Sequence, residues 1–508
     1  MFVFKRDLRT WLAIVPLLAG LARASAASEF ELTSAVLQPV FARAERPTCI
    51  VTAVTNIGPA QLVVKVTLTL PTGVQIASPR VEITNWKAGE ARSLKWDVRS
   101  MQPERCQARL EVISGDQVTS WSFPVCWHEA RLAEQADYVP PPEPVETGRY
   151  LVGVMMCPLW KQGTLGANWN AILPYPERQP VLGWYDEGDP EVTDWEIKWL
   201  LEHGISFGNV CWFRQKGNAG KPIEPVLGHW LHAGLFHSRY GSQFKFALMW
   251  ENGNSIASGV QSEADLLENL LPFWIENYFR KPNYLVLDGK PLLYIYRPEI
   301  LVRELGGEDK TRAALQKMRE ACVRSGFNGL AILGENHNAP AGPLKQMTAI
   351  GMDAAFSYHW PSFSGKFPAE VEPRQIAAAQ EECWRDQASG NLPGIATVSM
   401  GWDSRPWGKP FSGVAWHLPL DEYKATLERA KSFMDHGPSN SLQSRVLLLD
   451  NWNEFGEGHY IFPTREFGFG YLDAIREVFA TNAPPHHDLA PEDVGRGPYD
   501  SRFRAGLR

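Results

Sequence analysis

The chain has 508 residues, 44% of them hydrophobic, and a formal net charge of −7. That length exceeds one typical domain and argues for two. The mild acidity and the lack of a concentrated Lys/Arg stripe exclude a nucleic-acid binder working by phosphate neutralisation. No apolar run suits a polytopic membrane protein.

At the N-terminus, Lys5, Arg6 and Arg9 precede an apolar stretch from Trp11 to Ala22, followed by Ala24-Ser25-Ala26. This pattern reads as a cleavable signal over residues 1–26, cut near Ala26, and places the mature chain in a secreted or periplasmic compartment. The stretch is too short to span a bilayer comfortably, so no membrane span is expected in the mature chain. Among the 7 Cys, Cys49, Cys106 and Cys126 lie close to the N-terminus, and one bridge among them is expected. No C-x-x-C pair suggests zinc.

Residues 29–128 read as all-β. The β-branched runs Thr48–Asn56 and Gln61–Leu70 are punctuated by Asn56-Ile57-Gly58-Pro59 and Pro71-Thr72-Gly73. Shorter runs follow at Val81–Thr84, Ala91–Val98, Ala108–Ser114 and Thr119–Pro124. Several short strands at this spacing predict a small β-sandwich accessory domain, immunoglobulin-like in outline. Residues 129–148 read as a linker, because four prolines between Tyr138 and Val145 make a stiff spacer.

From residue 149 to 482 the rhythm alternates strand and helix, with a tail over 483–508. Strands are predicted at Leu151–Met156, Ser206–Phe213, Phe244–Trp250, Pro291–Tyr296, Gly329–Leu333, Ala354–Tyr358, Ile395–Met400 and Val446–Asp450. Helical periodicity marks Glu191–His203, Glu263–Phe279, Thr311–Ser325, Pro373–Gln387, Asp421–Asp435 and Tyr471–Phe479. Eight such units predict an α/β fold, a (β/α)8 TIM barrel; a doubly wound open sheet is the alternative. No Gly-rich phosphate loop follows the first strand.

In a barrel, chemistry sits at the C-terminal strand ends. Here these ends carry Trp160, Trp212, Trp250-Glu251-Asn252, Tyr296, Glu335 with His337, Tyr358-His359, Trp402-Asp403 and Asn451-Trp452-Asn453-Glu454-Phe455-Gly456-Glu457. Aromatic rings beside amides and acids at most of eight ends describe a sugar cleft. The pair Glu454 and Glu457 supplies the two carboxyl groups that glycosidic bond cleavage needs. The bland alternative for the pair is two solvated glutamates in a loop. Twenty Trp in the chain fit an aromatic-lined cleft, although core packing is the commoner fate of any one.

Glu454-Phe455-Gly456-Glu457 after a strand, with Asn451 and Asn453 ahead, resembles the N-E-W-x-E-G segment of glycoside hydrolase family 99, which contains endo-acting α-mannosidases and α-mannanases. Leu182-Gly183-Trp184-Tyr185-Asp186 with Asp189-Pro190-Glu191-Val192 resembles that family's stretch before the first long helix. Trp250-Glu251-Asn252-Gly253-Asn254 and Met400-Gly401-Trp402-Asp403 resemble the related WbsX-like group found in polysaccharide gene clusters. The likeness covers roughly Tyr150 to Phe479. It departs at Phe455, where Trp is usual, and at the first strand end, Met155-Met156-Cys157-Pro158-Leu159-Trp160.

The resemblance implies a retaining glycoside hydrolase acting through a 1,2-anhydro sugar. Glu454 would be the base toward the sugar 2-hydroxyl, and Glu457 the acid/base. Substrate contacts are expected from Trp160, Trp212, Trp250, Glu251, Asn252, Tyr296, Glu335, His337, Tyr358, His359, Trp402, Asp403 and Asn453. Glu335 is a rival nucleophile, and Arg214, Lys216 and Arg405 are candidates for recognising an anionic sugar. No metal and no cofactor are expected. The expected partner is a polysaccharide or oligosaccharide, with no nucleic acid. The alternatives are a WbsX-like enzyme of polysaccharide assembly or trimming, and a non-catalytic glycan-binding protein.

Overall fold

The computed structural model describes residues 29–161, 169–253, 256–337, 339–360, 372–408 and 415–500. The expected signal over 1–26, Asn254, residues 362–371 and the end of the tail lie outside these residues. The chain divides into two compact units. One runs to Leu132 and includes Pro174–Pro176; the other holds Ala133–Leu173 and the chain from Glu177 onward.

The first unit is a sandwich of two antiparallel sheets. Its strands are β1 (Phe30–Gln38), β2 (Thr48–Asn56), β3 (Gln61–Thr69), β4 (Val74–Ile76), β5 (Arg80–Trp86), β6 (Ala91–Ser100), β7 (Glu104–Ser114) and β8 (Gln117–Trp127). One sheet runs β1-β2-β6-β4 and the other β5-β3-β7-β8. Every second residue of β2, from Thr48 to Asn56, is buried, the period of a strand with one face on a core. Three Trp anchor that core, and each indole N–H finds an acceptor, as a buried indole requires. Trp96 donates to Thr52 Oγ1 at 3.2 Å, Trp127 to Thr48 Oγ1 at 3.0 Å, and Trp86 to the Glu90 carbonyl at 2.8 Å. Strands β1 and β4 were absent from the expected set.

The expected bridge among Cys49, Cys106 and Cys126 is not formed; all three are free thiols. Strand alternation explains this. Cys106 stands opposite Val125 and faces the core, while Cys126, one residue on, faces the other way. Cys49 sits outward on the opposite sheet, beside Asp97. No two of the three share a face of one sheet, so their Cβ atoms do not face each other as a disulfide needs.

The second unit is a barrel of eight parallel strands: β9 (Leu151–Met156), β10 (Ile205–Arg214), β11 (Lys245–Glu251), β12 (Lys290–Ile295), β13 (Ala331–Glu335), β14 (Ala354–Phe356), β15 (Ala396–Val398) and β16 (Val446–Leu449). Neighbours in sequence are neighbours in space from β9 to β14, and β9 also pairs with β16. Between β14 and β15 the ring closes through Ala355 N to the Pro393 carbonyl (2.9 Å) and Ile395 N to the Ala355 carbonyl (2.8 Å). A (β/α)8 barrel is therefore the architecture, as the strand–helix rhythm predicts.

Helix α1 (Pro190–Glu202) starts where Asp189 caps the Glu191 N–H at 2.9 Å and Pro190 takes the first turn. It ends before Gly204, whose φ of +79° suits glycine. The helical region over 265–279 holds one α-turn between two wider π-turns, with Pro272, which has no N–H to donate, inside it. Among the described residues, no helix is long and apolar enough to cross a membrane.

The Pro-rich stretch is not a free spacer. Its carbonyls, which no neighbouring strand pairs, are taken up by the barrel. Tyr240 Oη donates to the Val139 carbonyl at 2.7 Å, and Lys198 Nζ to the Pro141 carbonyl at 3.2 Å. Tyr138 Oη donates to Asp194 at 2.7 Å, and the Arg239 guanidinium lies 3.5 Å from the Tyr138 ring centre.

The free thiols are testable. Alkylation of the unfolded, unreduced chain is expected to label Cys49, Cys106 and Cys126 alike in a peptide mass map. A pair that resists labelling until reductant is added would contradict this arrangement.

Candidate active site

Along each barrel strand, side chains alternate between the interior and the helix layer. The interior column holds Met155 and Cys157 of the first strand and its extension, Cys211 and Phe213 of β10, Met249 of β11, Tyr294 of β12, Leu333 of β13, Phe356 and Tyr358 at β14, and Leu448 of β16. Continued by parity to the mouth, this column delivers Glu251, Tyr296, Glu335, Tyr358 and Asp450. Burial drives the Tyr296 phenol well up, and Glu335, Glu251 and Glu457 all add to the rise, so these groups face one another.

The same parity removes two expected contacts. Trp212 donates to Tyr278 Oη at 2.9 Å and packs against Trp274; Trp250 packs on Trp274 with ring centres 5.2 Å apart. Both belong to the strand–helix layer and not to the cleft.

Glu454 and Glu457 sit on a tight loop after β16. Glu457 N and Gly458 N both donate to the Glu454 carbonyl, at 3.1 and 3.0 Å. The two glycines of the motif are sterically required. A Cβ on Gly456 would lie 2.0 Å from the Trp407 ring, and one on Gly458 (φ +72°) would lie 2.5 Å from Asp403 N. Phe455 is fully buried, packed on Trp160, Trp169, Tyr460 and Phe462. Its ring anchors the loop.

The carboxyl groups occupy different surroundings. Glu454 is buried, and Tyr358 Oη donates to its Oε2 at 3.3 Å while Asn451 Nδ2 donates to Tyr358 Oη at 2.6 Å. Burial, then repulsion from Glu457, push the Glu454 acid up to about 8. Glu457 is partly exposed, and its Oε2 is 3.0 Å from His459 Nε2. His459 is fully buried; its Nδ1 lies 3.5 Å from Asp450 Oδ2. Burial would depress His459, but the neighbouring Asp450 and Glu457 carboxylates outweigh it and raise the imidazole to about 10. His459 thus stands as an imidazolium between the acids Asp450 and Glu457, with Glu454 alongside. Asp450 and His459 were missing from the sequence reading. The available signal was an acid ending an apolar strand at an inward position, with a His nine residues on.

Other predicted residues divide by what they touch. His359 is buried between Trp402 (ring centres 4.4 Å apart) and His459 (5.3 Å), and burial lowers its pKa well below the ordinary imidazole range. His337 Nδ1 is 3.2 Å from Glu335 Oε1, and both line a cavity of ≈ 310 Å³ with Tyr296. These residues, with Glu251 and Tyr358, surround the glutamate pair.

Four expected contacts are occupied elsewhere. Asp403 is buried between Arg178 and Arg405, which hold its carboxyl below the usual range against the opposing effect of burial. Asn252 exchanges two bonds with the Arg297 backbone, at 3.0 and 2.9 Å. Asn453 Nδ2 donates to Glu187, which also receives the Trp160 N–H at 2.7 Å. Trp160 is fully buried, its indole bonded to the Asn453 carbonyl at 2.7 Å. These four brace the floor of the site.

Arg214 is likewise not available to an anionic sugar. It is fully buried and grips Asp265 with two bonds, at 2.7 and 3.0 Å. Glu454, Glu457 and His459 also bring ligand-type atoms within 4.8 Å of one another. A metal there would have to displace the proton that the two carboxylate neighbours hold on His459.

With this geometry in hand, comparison with known proteins places the chain. Residues 175–475, more than half of it, match the family described as glycosyltransferase WbsX. The chain belongs to the WbsX family. It is 28% identical over 375 residues to the uncharacterized protein WxcX of Xanthomonas campestris pv. campestris strain B100, and the match covers 66% of this chain and 48% of the relative. The same figures hold for WxcX of strain ATCC 33913. The chain therefore spans about half the length of the curated relatives it matches. Among solved structures, the GH99 endo-alpha-mannosidase from Bacteroides thetaiotaomicron matches with 16% identity and a TM-score of 0.46, covering 66% of this chain and 97% of that one. A putative alpha-galactosidase from Bacteroides fragilis matches with 11% identity and a TM-score of 0.35, covering 89% and 78%.

The Arg214–Asp265 pair yields a stability prediction. Asp265 also receives the Gly220 and Gln261 N–H groups, at 2.8 and 3.0 Å. Asp265→Ala would leave a buried guanidinium without its counter-charge, a loss of about 3–5 kcal/mol. Denaturant unfolding that finds less than about 1 kcal/mol would refute the pair's structural role.

Proposed function

We propose that this WbsX-family chain is a glycoside hydrolase that cleaves inside an α-linked, mannose-configured glycan with retention, after export by its N-terminal signal. The observation that carries the reading is the Glu454–Glu457 pair at the barrel mouth, with oxygens within 4.8 Å of each other. Inverting enzymes keep their carboxyl groups roughly 6.5–9.5 Å apart to admit a water, so this pair favours retention.

In the proposed reaction Glu454, in the ionised form that grows in as pH rises toward about 8, takes the proton of the sugar 2-hydroxyl. That oxygen attacks the anomeric carbon from the opposite face, while Glu457 protonates the departing oxygen. A 1,2-anhydro sugar results. Glu457, now a carboxylate, takes a proton from water as it opens the ring, and Glu454 returns its proton to O2. A base whose pKa is about 8 suits a weakly acidic hydroxyl better than an ordinary carboxylate does. Tyr358 and Asn451 hold the Glu454 carboxyl, and Asp450 steadies His459 against Glu457. Tyr296, His337, His359, Trp402, Glu251 and Glu335 are the proposed sugar contacts.

A second reading has one specific support, the family's description as a glycosyltransferase. The same pair serves transfer if an acceptor hydroxyl replaces water in the second step. Size-resolved products separate the two readings, because transfer lengthens some chains while hydrolysis only shortens them.

Two measurements test the proposal. Glu454→Gln and Glu457→Gln should each lower turnover of α-mannans by about 10²–10⁴-fold, the usual worth of a positioned acid or base; full activity in both would move the chemistry to Glu335. The pH dependence of kcat/KM tests the roles. Glu454 must be ionised to act as base, so the rate should climb as pH rises toward about 8. A rate that instead falls through that range would make Glu454 the acid and exchange the two assignments. Glycan binding without turnover would support the non-catalytic alternative.

A further inference from the structure

A second group of ligand-type side chains lies in the barrel unit, at the C-terminal end of α1. His203 is the C-cap residue of that helix and is fully buried. Its Nδ1 is 2.6 Å from the Trp199 carbonyl. A carbonyl oxygen only accepts, so Nδ1 carries a proton and Nε2 is the nitrogen left to face other partners. That nitrogen faces Asp488 and Asp473, whose carboxylates outweigh burial and raise the imidazole to about 9, so a cation bound there would displace its proton. Nε2 is aimed at the chain that follows the last barrel helix, where His486 and Asp488 stand two residues apart.

The spacing among the three is that of ligands around one ion. Asp488 Oδ1 lies 3.2 Å from His203 Nε2 and 3.5 Å from His486 Nε2. All three atoms fall within 4.8 Å of one another. Ligands at about 2.0–2.1 Å from a tetrahedral ion stand roughly 3.3 Å apart along each edge. Asp473 Oδ1, on the helix Gly470–Phe479, is 3.6 Å from His203 Nε2 and is placed to complete the set. The negative end of the α1 dipole adds a field that favours a cation here. A backbone-bonded imidazole with its second nitrogen directed at another imidazole and a carboxylate is the usual arrangement for metal ligation.

We propose that His203, His486 and Asp488 hold a divalent ion of the zinc class, with Asp473 as the nearest fourth ligand. The site joins three pieces: the end of α1, the last barrel helix and the segment after it. Its role is structural, since none of its ligands belongs to the Glu454–Glu457 cluster at the barrel mouth.

The test uses the full chain stripped with chelator, titrated with zinc by calorimetry and followed by thermal unfolding. Wild type is expected to bind one tight equivalent and to melt at a higher temperature with zinc than without. His486 is 15% exposed, and His486→Ala and Asp488→Asn are carried as a pair so that one folded variant suffices. Each should weaken zinc binding by about 10–100-fold or more and abolish the rise in Tm. Glu457→Gln should leave both unchanged. Failure of wild type to bind zinc would leave only a His203–Asp488 ion pair and overturn the site. Binding that survives both substitutions, or disappears in Glu457→Gln, would overturn it equally.

Discussion

Side-chain alternation along eight parallel strands is the constraint on which the rest of the barrel depends. A strand closed into a barrel sends one set of side chains inward and the next outward to the helices. Tyr358 is inward, above Phe356, and so reaches Glu454. Trp212, between the inward Cys211 and Phe213, faces Tyr278 and Trp274. Two tryptophans at neighbouring strand ends are therefore packing, while tyrosines and acids one position away line the mouth.

At the end of β16 this constraint meets electrostatics. An inward Asp450 has no water to solvate it, and isolated buried carboxylates are too costly to persist. Its neighbour His459 supplies the compensating proton and extends the charge to Glu457. Glu454, buried and then pressed by Glu457, has its carboxyl raised to about 8, so the base form that the proposed reaction uses grows in as pH rises. Two glutamates three residues apart thus lie in different surroundings, one buried and one partly exposed, set by their loop. The loop holds this geometry because Gly456 lets Trp407 approach and Gly458 takes a left-handed turn against Asp403.

Around that centre, other buried charges serve position. Arg178 and Arg405 neutralise Asp403 below the loop, and Glu187 ties Asn453 to the Trp160 backbone and to His229, 3.0 Å away. Glu196, raised to about 8 by burial and then by Glu187, accepts the Trp230 and Trp452 indoles, at 2.7 and 3.2 Å. Polar groups buried in this number rigidify a site when each is satisfied. They account for several residues whose chemistry looked sugar-directed and whose partners are protein.

The linear pattern of apolar runs determined the eight strands and six of the helices, because period and punctuation are local properties of the chain. It missed α-helices at Pro298–Leu305 and Ala341–Ile350, which are short and lie close to other elements. It also determined the glutamate pair, since both acids lie within eight residues of one strand end. Tertiary structure alone decided which strand-end aromatics face the mouth, which amides are already bonded, and that Asp450 and His459 join the pair. It also unpaired the cysteines and brought His203 to His486 across 283 positions, counting 486 − 203 in the chain numbering. The reason is physical: covalent neighbours share a local conformation, but partners, burial and charge states depend on what the closed barrel brings beside them.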